Sequence, residues 1–254
     1  MPLYLPAASG GSHAARRVAF LTTLFLLLLV LQTHAHAQRK RRAPPPGGRV
    51  AVVVDERLSA LRDAPSLSAN VLRRIGRGRL VAIAGARDAA DGVTFYRVVV
   101  TRRTGGWLQA DALVSASRAG DDARLLRLVR GSAEFDRVER VRIFLETFPR
   151  SRLRPEALLL LAEAAEEAAV KLSRDAARRL DDAEMEAGGA PLKSYYMSFN
   201  GLDRYRRQGV GFNFDAATKQ FRYNGAAWRE IVRHHSRSPE AERARVRLAT
   251  LPAR

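Results

Sequence analysis

The pattern of apolar and polar residues divides the chain into three parts. Residues 18–31 form an apolar stretch, and residues 49–116 hold short β-branched runs separated by Gly, Pro and Asp. From about residue 120 to 254, apolar residues instead recur at spacings of three and four. Short runs between turn residues are typical of strands, and the three-four spacing is typical of amphipathic helices. We therefore expect an α+β protein with two domains, a small all-β barrel (49–116) followed by an α-helical domain (120–254).

The first 37 residues have the order of a secretory signal peptide. Arg16-Arg17 precedes the apolar stretch 18–31, and the small-residue site Ala35-His36-Ala37 follows it. The fourteen residues of the stretch fall short of the roughly twenty that cross a bilayer as a stable helix. We expect cleavage after Ala37 and a mature protein in the periplasm or outside the cell, without a stable transmembrane anchor.

The charge that follows the apolar stretch favours a different interpretation. Arg39-Lys40-Arg41-Arg42 places more positive charge after the stretch than before it. By the positive-inside rule, such charge favours retention in the cytoplasm, so the alternative is an inner-membrane anchor formed by an uncleaved signal. In either case residues 38–48 are predicted to be a basic Pro/Gly linker with extended character.

The β region contains motifs at a regular spacing. Its apolar runs are Arg49–Val54, Leu80–Ala84 and Phe95–Thr101, and Asp88–Gly92 has the composition of a hairpin turn. Four stretches match motifs of bacterial SH3-like domains in order and spacing. They are Leu58–Ser66 ("LNVRSGPS"), Val71–Leu80 ("VIGxLxxGxxV"), Phe95–Val98 ("WYKV"), and Thr104–Leu108 with Ala112–Val114 ("TGWVxxxYL"). Residues 49–116 therefore resemble the bacterial SH3-like (SH3b) family, with one departure at Ala64, where the family usually has Gly.

The resemblance implies a binding module of the cell envelope. Domains of this family commonly bind cell-wall peptides or protein partners. The candidate ligand-binding residues are Tyr96 and Trp107, because an exposed ring offers a large apolar area, and Arg62 and Asp63, which could line a groove between loops. Two alternatives stay open: both aromatic residues could belong to the barrel core, and Arg62 and Asp63 could be solvated turn residues.

The helical region begins with acidic residues. Asp121-Asp122 is predicted to open a helix that runs to Arg130, and Ser132 is expected to cap the next helix, which ends at Phe148-Pro149. Pro155 suits the first turn of a third helix, whose end is predicted no later than Gly188-Gly189. These helices would form a helical hairpin.

A weak internal echo links two parts of the helical region. Residues 144–157 and 231–241 both predict a helix, a turn with Arg-Ser, and a Pro-Glu-Ala sequence that opens another helix. The pattern resembles tetratricopeptide-like proteins of bacterial envelopes, although two copies are too few for a repeat array. Between the copies we expect a helix from Tyr195 to near Gly209 and a candidate β-hairpin at 211–224.

Charge suggests a second kind of partner. Forty of the 44 basic residues are arginine, and the chain after residue 37 has a net charge of +16. Such a charge favours anionic partners, so an electrostatic binder of lipopolysaccharide or nucleic acid is the alternative function. The scattered distribution of arginines disfavours nucleic acid.

Candidate catalytic chemistry is sparse. The chain has no cysteine, which excludes thiolate catalysis, cysteine zinc sites and disulfides, and it has no phosphate-loop or dinucleotide motif, so no cofactor is expected. His234-His235 would make a poor metal pair because adjacent helical residues point in different directions. The acids Glu163, Glu166 and Glu167, or Asp181 and Asp182, could be imagined as a glycosidase pair, but solvated charge is the default interpretation. We therefore expect a non-catalytic protein without metal or cofactor.

Overall fold

The computed structural model describes residues 49–251, and the fold of this part is α+β, as predicted. The predicted signal peptide (1–37) and linker (38–48) lie outside the described residues. An antiparallel sheet of seven strands comes first, and helices with one β-hairpin follow. The sheet is larger than the small barrel that the sequence led us to expect.

The seven strands of the sheet are β1 (Arg49–Val53), β2 (Ala60–Arg62), β3 (Val71–Arg74), β4 (Leu80–Asp88), β5 (Thr94–Thr101), β6 (Thr104–Gln109) and β7 (Leu113–Val114). Neighbouring strands lie in the order β3-β2-β6-β5-β4-β1-β7. Two pairs of consecutive strands, β4–β5 and β5–β6, form the middle of the sheet. The predicted turn at Asp88–Gly92 joins β4 to β5.

From Ala51 onward, strand β1 is buried on both faces. Ala51 and Val53 belong to the core inside the sheet, with Leu61, Val98 and Leu108. Val52 instead belongs to the core formed by the helices. A strand that is buried on both faces needs an unbroken apolar run, which explains the sequence Ala-Val-Val-Val at residues 51–54.

The helices pack against the outside of the sheet through this second core. It contains Val52, Val54 and Val114 of the sheet region together with Leu125 and Phe144 of the helices. The hydrophobic core is therefore continuous across the boundary that we expected near residue 120. All described residues fall within one compact unit.

The helices of residues 49–251 follow the sheet in sequence. They are α1 (Asp121–Arg130), α2 (Glu134–Thr147), α3 (Arg154–Arg179), α4 (Asp182–Gly188), α5 (Leu192–Met197), α6 (Asp203–Arg207), α7 (Ala226–His234) and α8 (Pro239–Thr250). The predicted first helix is confirmed as α1, and Pro155 lies in the first turn of α3 as expected. The third predicted helix ends at Arg179, and a separate helix, α4, reaches the glycine pair.

The prediction that Ser132 caps the second helix is wrong. Ala133 occupies the N-cap position of α2 and makes no side-chain cap. The Ser132 hydroxyl instead donates to the Leu128 carbonyl of the preceding helix at 2.5 Å and accepts from Arg140 Nη1 at 2.6 Å. The buried guanidinium of Arg140 needs hydrogen-bond acceptors. The Ser132 hydroxyl serves as one of them and is therefore not placed to cap α2.

The prediction of one helix from Tyr195 to Gly209 is also wrong. Helix α5 ends at Met197, a 3₁₀ turn spans Asn200–Leu202, and α6 begins at Asp203. At Gly201, a Cβ atom would overlap the Phe199 ring and lie 3.0 Å from Leu172 Cδ2. The chain approaches α3 closely at this point, and the interruption packs Phe199 and Leu202 into the core.

A β-hairpin is present where the alternation of aromatic and polar residues predicted it. Strands β8 (Phe212–Asp215) and β9 (Gln220–Tyr223) pair in antiparallel register. The hairpin lies against α3, because the Phe221 amide donates to Ser173 Oγ at 2.8 Å, and Phe214 stacks on Tyr196 at 4.3 Å between ring centroids. These rings pack elements together rather than face solvent.

An ion-pair network joins the sheet to α2. Arg77, in the turn before β4, places its guanidinium 3.0 Å from both Asp136 and Glu139, and its side chain is only 8% exposed. Arg140 donates from Nε to the Val54 carbonyl at 3.2 Å. We call Arg77, Asp136, Glu139 and Arg140 the Arg77 network. Burial is the main cause that raises the pKa of Glu139, whereas the hydrogen bond from Arg77 is the main cause that lowers the pKa of Asp136.

Candidate ligand-binding surfaces of the sheet

Two of the four predicted ligand-binding residues lie side by side on the outer face of the sheet. Trp107 of β6 is directly opposite Arg62 of β2 and Arg97 of β5. Residues directly opposite in an antiparallel pair point to the same face. Their neighbours Leu61 and Leu108 are fully buried in the core inside the sheet, so the three side chains point away from it. We call Arg62, Trp107 and Arg97 the outer-face row.

The outer-face row combines an aromatic ring with two positive charges. Trp107 is half-buried, and Arg97 is exposed with no ion pair or side-chain hydrogen bond to any described residue. Arg62 donates from Nη1 to the Ala69 carbonyl at 2.6 Å, but its buried Nε–H has no partner within the described part of the chain. An indole beside guanidinium groups can stack on a ring or an apolar group and bind a carboxylate or phosphate at the same time.

Asp63 and part of Arg62 stabilise a loop. Asp63 Oδ2 accepts from Asn70 Nδ2 at 2.9 Å, and the Asp63 amide donates to the Asn70 carbonyl at 3.2 Å. Together with the bond from Arg62 to Ala69, these contacts close the loop between β2 and β3. Asp63 is exposed and lies at the base of this loop, which agrees with the turn-residue alternative for this position.

Tyr96 lies on the opposite face of the sheet from Trp107. It pairs with Leu108, and its half-buried ring packs against the core inside the sheet. Its hydroxyl accepts a hydrogen bond from Arg118 Nη1 at 3.0 Å. The alternative in which Tyr96 belongs to the core therefore describes most of the ring, while the hydroxyl reaches a cleft. The structure does not bring Tyr96 and Trp107 into one site.

The cleft at Tyr96 lies between the sheet and the turn that precedes α1. It is a small, partly enclosed cleft that opens to solvent. The polar residues that line it are Arg49, Tyr96, Ser115, Ser117, Arg118 and Asp121. We call it the Tyr96 cleft.

Asp121 organises the base of the Tyr96 cleft. Its side chain is 2% exposed, and Oδ2 accepts from the Ser115 amide at 2.8 Å. Oδ1 faces Arg118 Nε at 3.2 Å and Arg124 Nε at 3.3 Å. The sequence predicted only that Asp121 opens a helix, and these contacts show why this position needs a carboxylate.

Sequence reasoning missed several residues at both surfaces. Arg97 could have been found, because it directly follows Tyr96 and the period of two in a strand puts the two on opposite faces. Arg49 and Arg118 carried no such signal. They come close to Tyr96 only through the pairing of β1 with β4 and β7 and through the fold of the turn after β7.

The acidic residues considered as a glycosidase pair all make contacts with partners of opposite charge or cap a helix. Glu166 accepts from Trp228 Nε1 at 3.0 Å and from Arg247 Nε at 2.8 Å. Glu163 and Glu167 face Arg243 and Arg137. Asp181 caps α4, and Asp182 pairs with Lys219 at 2.8 Å. These contacts agree with a structural role.

The two histidines of this part of the chain lie at the end of α7. His234 is the last helical residue, and His235 follows it. Burial, assisted by the positive charge of Arg154, lowers the pKa of the His235 imidazole. In residues 49–251, no group of three or more His, Asp or Glu side chains is placed to hold a metal ion.

Comparison of the chain with protein-family models, with curated proteins and with solved structures finds no match. Within residues 49–251, no helix has both the length and the apolar character needed to cross a membrane.

Proposed function

We propose that this protein is an exported, non-catalytic binding or scaffold protein of the bacterial cell envelope. In this proposal its SH3-like β region recognises a cell-wall peptide or a protein partner, and the tetratricopeptide-like helical hairpins dock further protein. The outer-face row is the observation that carries the proposal, because it presents an aromatic ring between two guanidinium groups on an open sheet face.

The chemistry of the outer-face row suits a peptide that carries carboxylates. The Trp107 indole offers apolar contact area at a small entropic cost, and the unpaired Arg97 offers a charge-assisted hydrogen bond. Cell-wall peptides contain both carboxylates and short apolar side chains. A binding surface of this kind needs shape as well as charge, so retention should persist at moderate salt.

Features of the β region support the SH3-like part of the proposal. Its strands are antiparallel, and its motifs have the order of that family. Gly106, in the stretch that matches "TGWV", lies where β6 approaches β2 closely, since a Cβ atom would lie 2.6 Å from the Arg62 carbonyl oxygen. The helix-turn-helix pairs α2–α3 and α7–α8 likewise occupy the two echoed segments.

The experiment is retention of the purified protein on peptidoglycan at low and moderate salt. Because the sheet shares its core with the helices, point variants are a sharper tool than deletion of residues 49–116. Trp107→Ala and Arg97→Gln should abolish or strongly reduce retention. Arg103→Gln, at another exposed arginine without a side-chain partner in the described chain, should retain wild-type binding. Equal retention of all four proteins would refute the role of the outer-face row.

An electrostatic binder of an anionic polymer, lipopolysaccharide or nucleic acid, is the second candidate. Exposed arginines without an ion-pair partner in residues 49–251 support it, among them Arg73 and Arg74 of β3 and Arg102 and Arg103 of the β5–β6 turn. Binding of this class would fall steeply with salt because it depends on counterion release. It would also weaken by a similar factor for each arginine removed, Arg103 included.

A further inference from the structure

The Tyr96 cleft holds hydrogen-bond donors that are not used within the described chain. Arg118 uses Nε toward Asp121 and Nη1 toward the Tyr96 hydroxyl, so further N–H groups of its guanidinium stay available. A guanidinium can only donate, so the Tyr96 oxygen is the acceptor in that contact. The phenolic O–H proton therefore has no acceptor among the described residues and can be donated into the cleft.

Arg49 adds a second positive charge at the rim of the Tyr96 cleft. It is the first residue of β1, is exposed, and has no ion pair with any carboxylate of residues 49–251. The one carboxylate of the cleft is already occupied. Asp121 Oδ2 accepts from the Ser115 amide and Oδ1 accepts from Arg124 Nε, and Oδ1 also forms an ion pair with Arg118 Nε. The Ser115 hydroxyl donates to the Val50 carbonyl at 2.7 Å and lies 2.9 Å from the Ser117 hydroxyl.

We propose that the Tyr96 cleft binds a small oxyanion, a carboxylate or phosphate group of a small molecule. The one carboxylate of the cleft is occupied, several donors are unused, and two arginines line the cleft. An anionic group with two or more oxygens supplies acceptors for these donors, and guanidinium groups bind such groups in a bidentate manner. This site is separate from the outer-face row, because Tyr96 and Trp107 lie on opposite faces of the sheet.

The roles within the site differ. Arg118 is held by Asp121 and Tyr96, so its position is fixed before a ligand arrives. Arg49 of β1 and the Tyr96 O–H of β5 complete the site. Replacing Arg118 would also remove a partner of the buried Asp121, so Arg49 and Tyr96 are the better positions for a test.

The experiment is a titration of the protein, purified after expression of the full chain, with sodium acetate and separately with sodium phosphate. Sodium chloride is matched for ionic strength, and the NMR signals of the Arg118 Nε–H group and the Ser117 amide are followed. We expect saturable shifts with at least one of the two anions, and none with chloride. Saturation with acetate only would assign the site to carboxylates, and saturation with phosphate only to phosphates.

Variants separate this site from general charge effects. Arg49→Gln should weaken the saturable binding about tenfold, the effect of losing one charge-assisted contact, and Tyr96→Phe should weaken it several-fold. Arg103→Gln and Trp107→Ala should bind the anion as the wild type does. Shifts that stay linear in both anions, or an equal loss in Arg49→Gln and Arg103→Gln, would overturn the proposal. If Trp107→Ala lost peptidoglycan retention but still bound the anion, the outer-face row and the Tyr96 cleft would be two independent binding sites.

Discussion

At the scale of the residue, Gly106 is fixed by the close approach of two strands. A Cβ atom there would lie 2.6 Å from the Arg62 carbonyl oxygen and 2.9 Å from Leu61 Cγ, and both belong to β2. Because the carbonyl is backbone, it cannot move away as a flexible side chain could. We therefore predict that Gly106→Ala lowers the free energy of unfolding by about 1–3 kcal/mol, the usual cost of overpacking. Urea denaturation measures the change.

A glycine in another strand of the same sheet provides the matched control. A Cβ atom at Gly85 of β4 would have no neighbour within 4 Å, and the φ of this residue is not positive. Gly85→Ala should therefore leave stability nearly unchanged. Similar losses in Gly85→Ala and Gly106→Ala would show that the strand contact is not the cause.

The carboxylate of Asp55 should make the stability of the protein depend on pH. It accepts from the Arg57 amide at 3.1 Å and from Arg57 Nη2 at 2.6 Å, and the side-chain bond to Arg57 is the main cause that lowers its pKa below 3.8. A lowered folded-state pKa contributes stability above the unfolded-state pKa, and this contribution is lost as pH falls through the folded-state value. Asp55→Asn keeps an acceptor for the Arg57 amide but removes the negative charge beside the Arg57 guanidinium, so it should cost about 0.5–1 kcal/mol near neutral pH.

The charge of Asp55 also predicts how stability changes at acidic pH. The stability difference between wild type and Asp55→Asn should shrink as pH falls below 3.8, because the wild-type carboxyl then becomes neutral as well. Thermal unfolding at a series of pH values measures it. A difference that stayed constant down to pH values well below 3.8 would contradict the role of the Asp55 charge.

At the scale of the element, Ser173 attaches the β8–β9 hairpin to α3. Its hydroxyl donates to the Ala169 carbonyl at 2.8 Å and accepts from the Phe221 amide at 2.8 Å, and all three groups are buried. Ser173→Ala would leave the Phe221 N–H without a partner, which costs about 1–3 kcal/mol. We predict that hydrogen exchange of the β9 amides accelerates far more than exchange in β5.

Val170 supplies the control on the same helix. Its side chain is 59% exposed, so Val170→Ala should leave exchange in β9 unchanged. If exchange accelerated equally in β9 and β5, Ser173 would act on global stability rather than on the attachment of the hairpin.

Sequence patterns predicted most elements and failed where tertiary contacts compete with local preference. The alternation of Phe212, Phe214, Phe221 and Tyr223 was sufficient to predict the hairpin. Ser132 has the chemistry of an N-cap, but a buried arginine eight residues later takes its side chain. No local pattern contains that partner, and the same holds for the break at Gly201, which depends on the distance to α3.

The candidate sites, too, could be predicted where local patterns determine them and not where they depend on tertiary contacts. The residues Arg62 and Trp107 could be predicted from motifs, and their adjacency follows from strand register. The separation of Tyr96 from Trp107 also follows from the period of two, since an odd offset between paired positions changes the face. The Tyr96 cleft could not be predicted, because Arg49 and Arg118 are 69 residues apart in sequence and meet through strand pairing.

At the scale of the whole molecule, the sheet and helices should unfold as one unit. Val52, Val54 and Val114 belong to the helical core, and the Arg77 network adds polar contacts across the same boundary. Arg77 is 8% exposed, whereas Asp136 is 56% and Glu139 31% exposed, so solvent screens part of the attraction. We predict that Arg77→Met lowers the free energy of unfolding by about 2 kcal/mol, less than the loss of a fully buried pair.

The decisive measurement is whether two spectroscopic probes of unfolding give the same transition midpoint. Trp107 fluorescence, recorded in a Trp228→Phe background, reports on the sheet, and helical circular dichroism reports on α1 to α8. In this background both signals should change at the same denaturant concentration, because a continuous core makes the transition cooperative. Adding Arg77→Met should shift both together to lower denaturant, while Arg87→Met, at an exposed arginine without an ion pair in the described chain, should shift neither. Separate transitions in the Trp228→Phe background alone would mean that the sheet and the helices are independent domains despite their shared core.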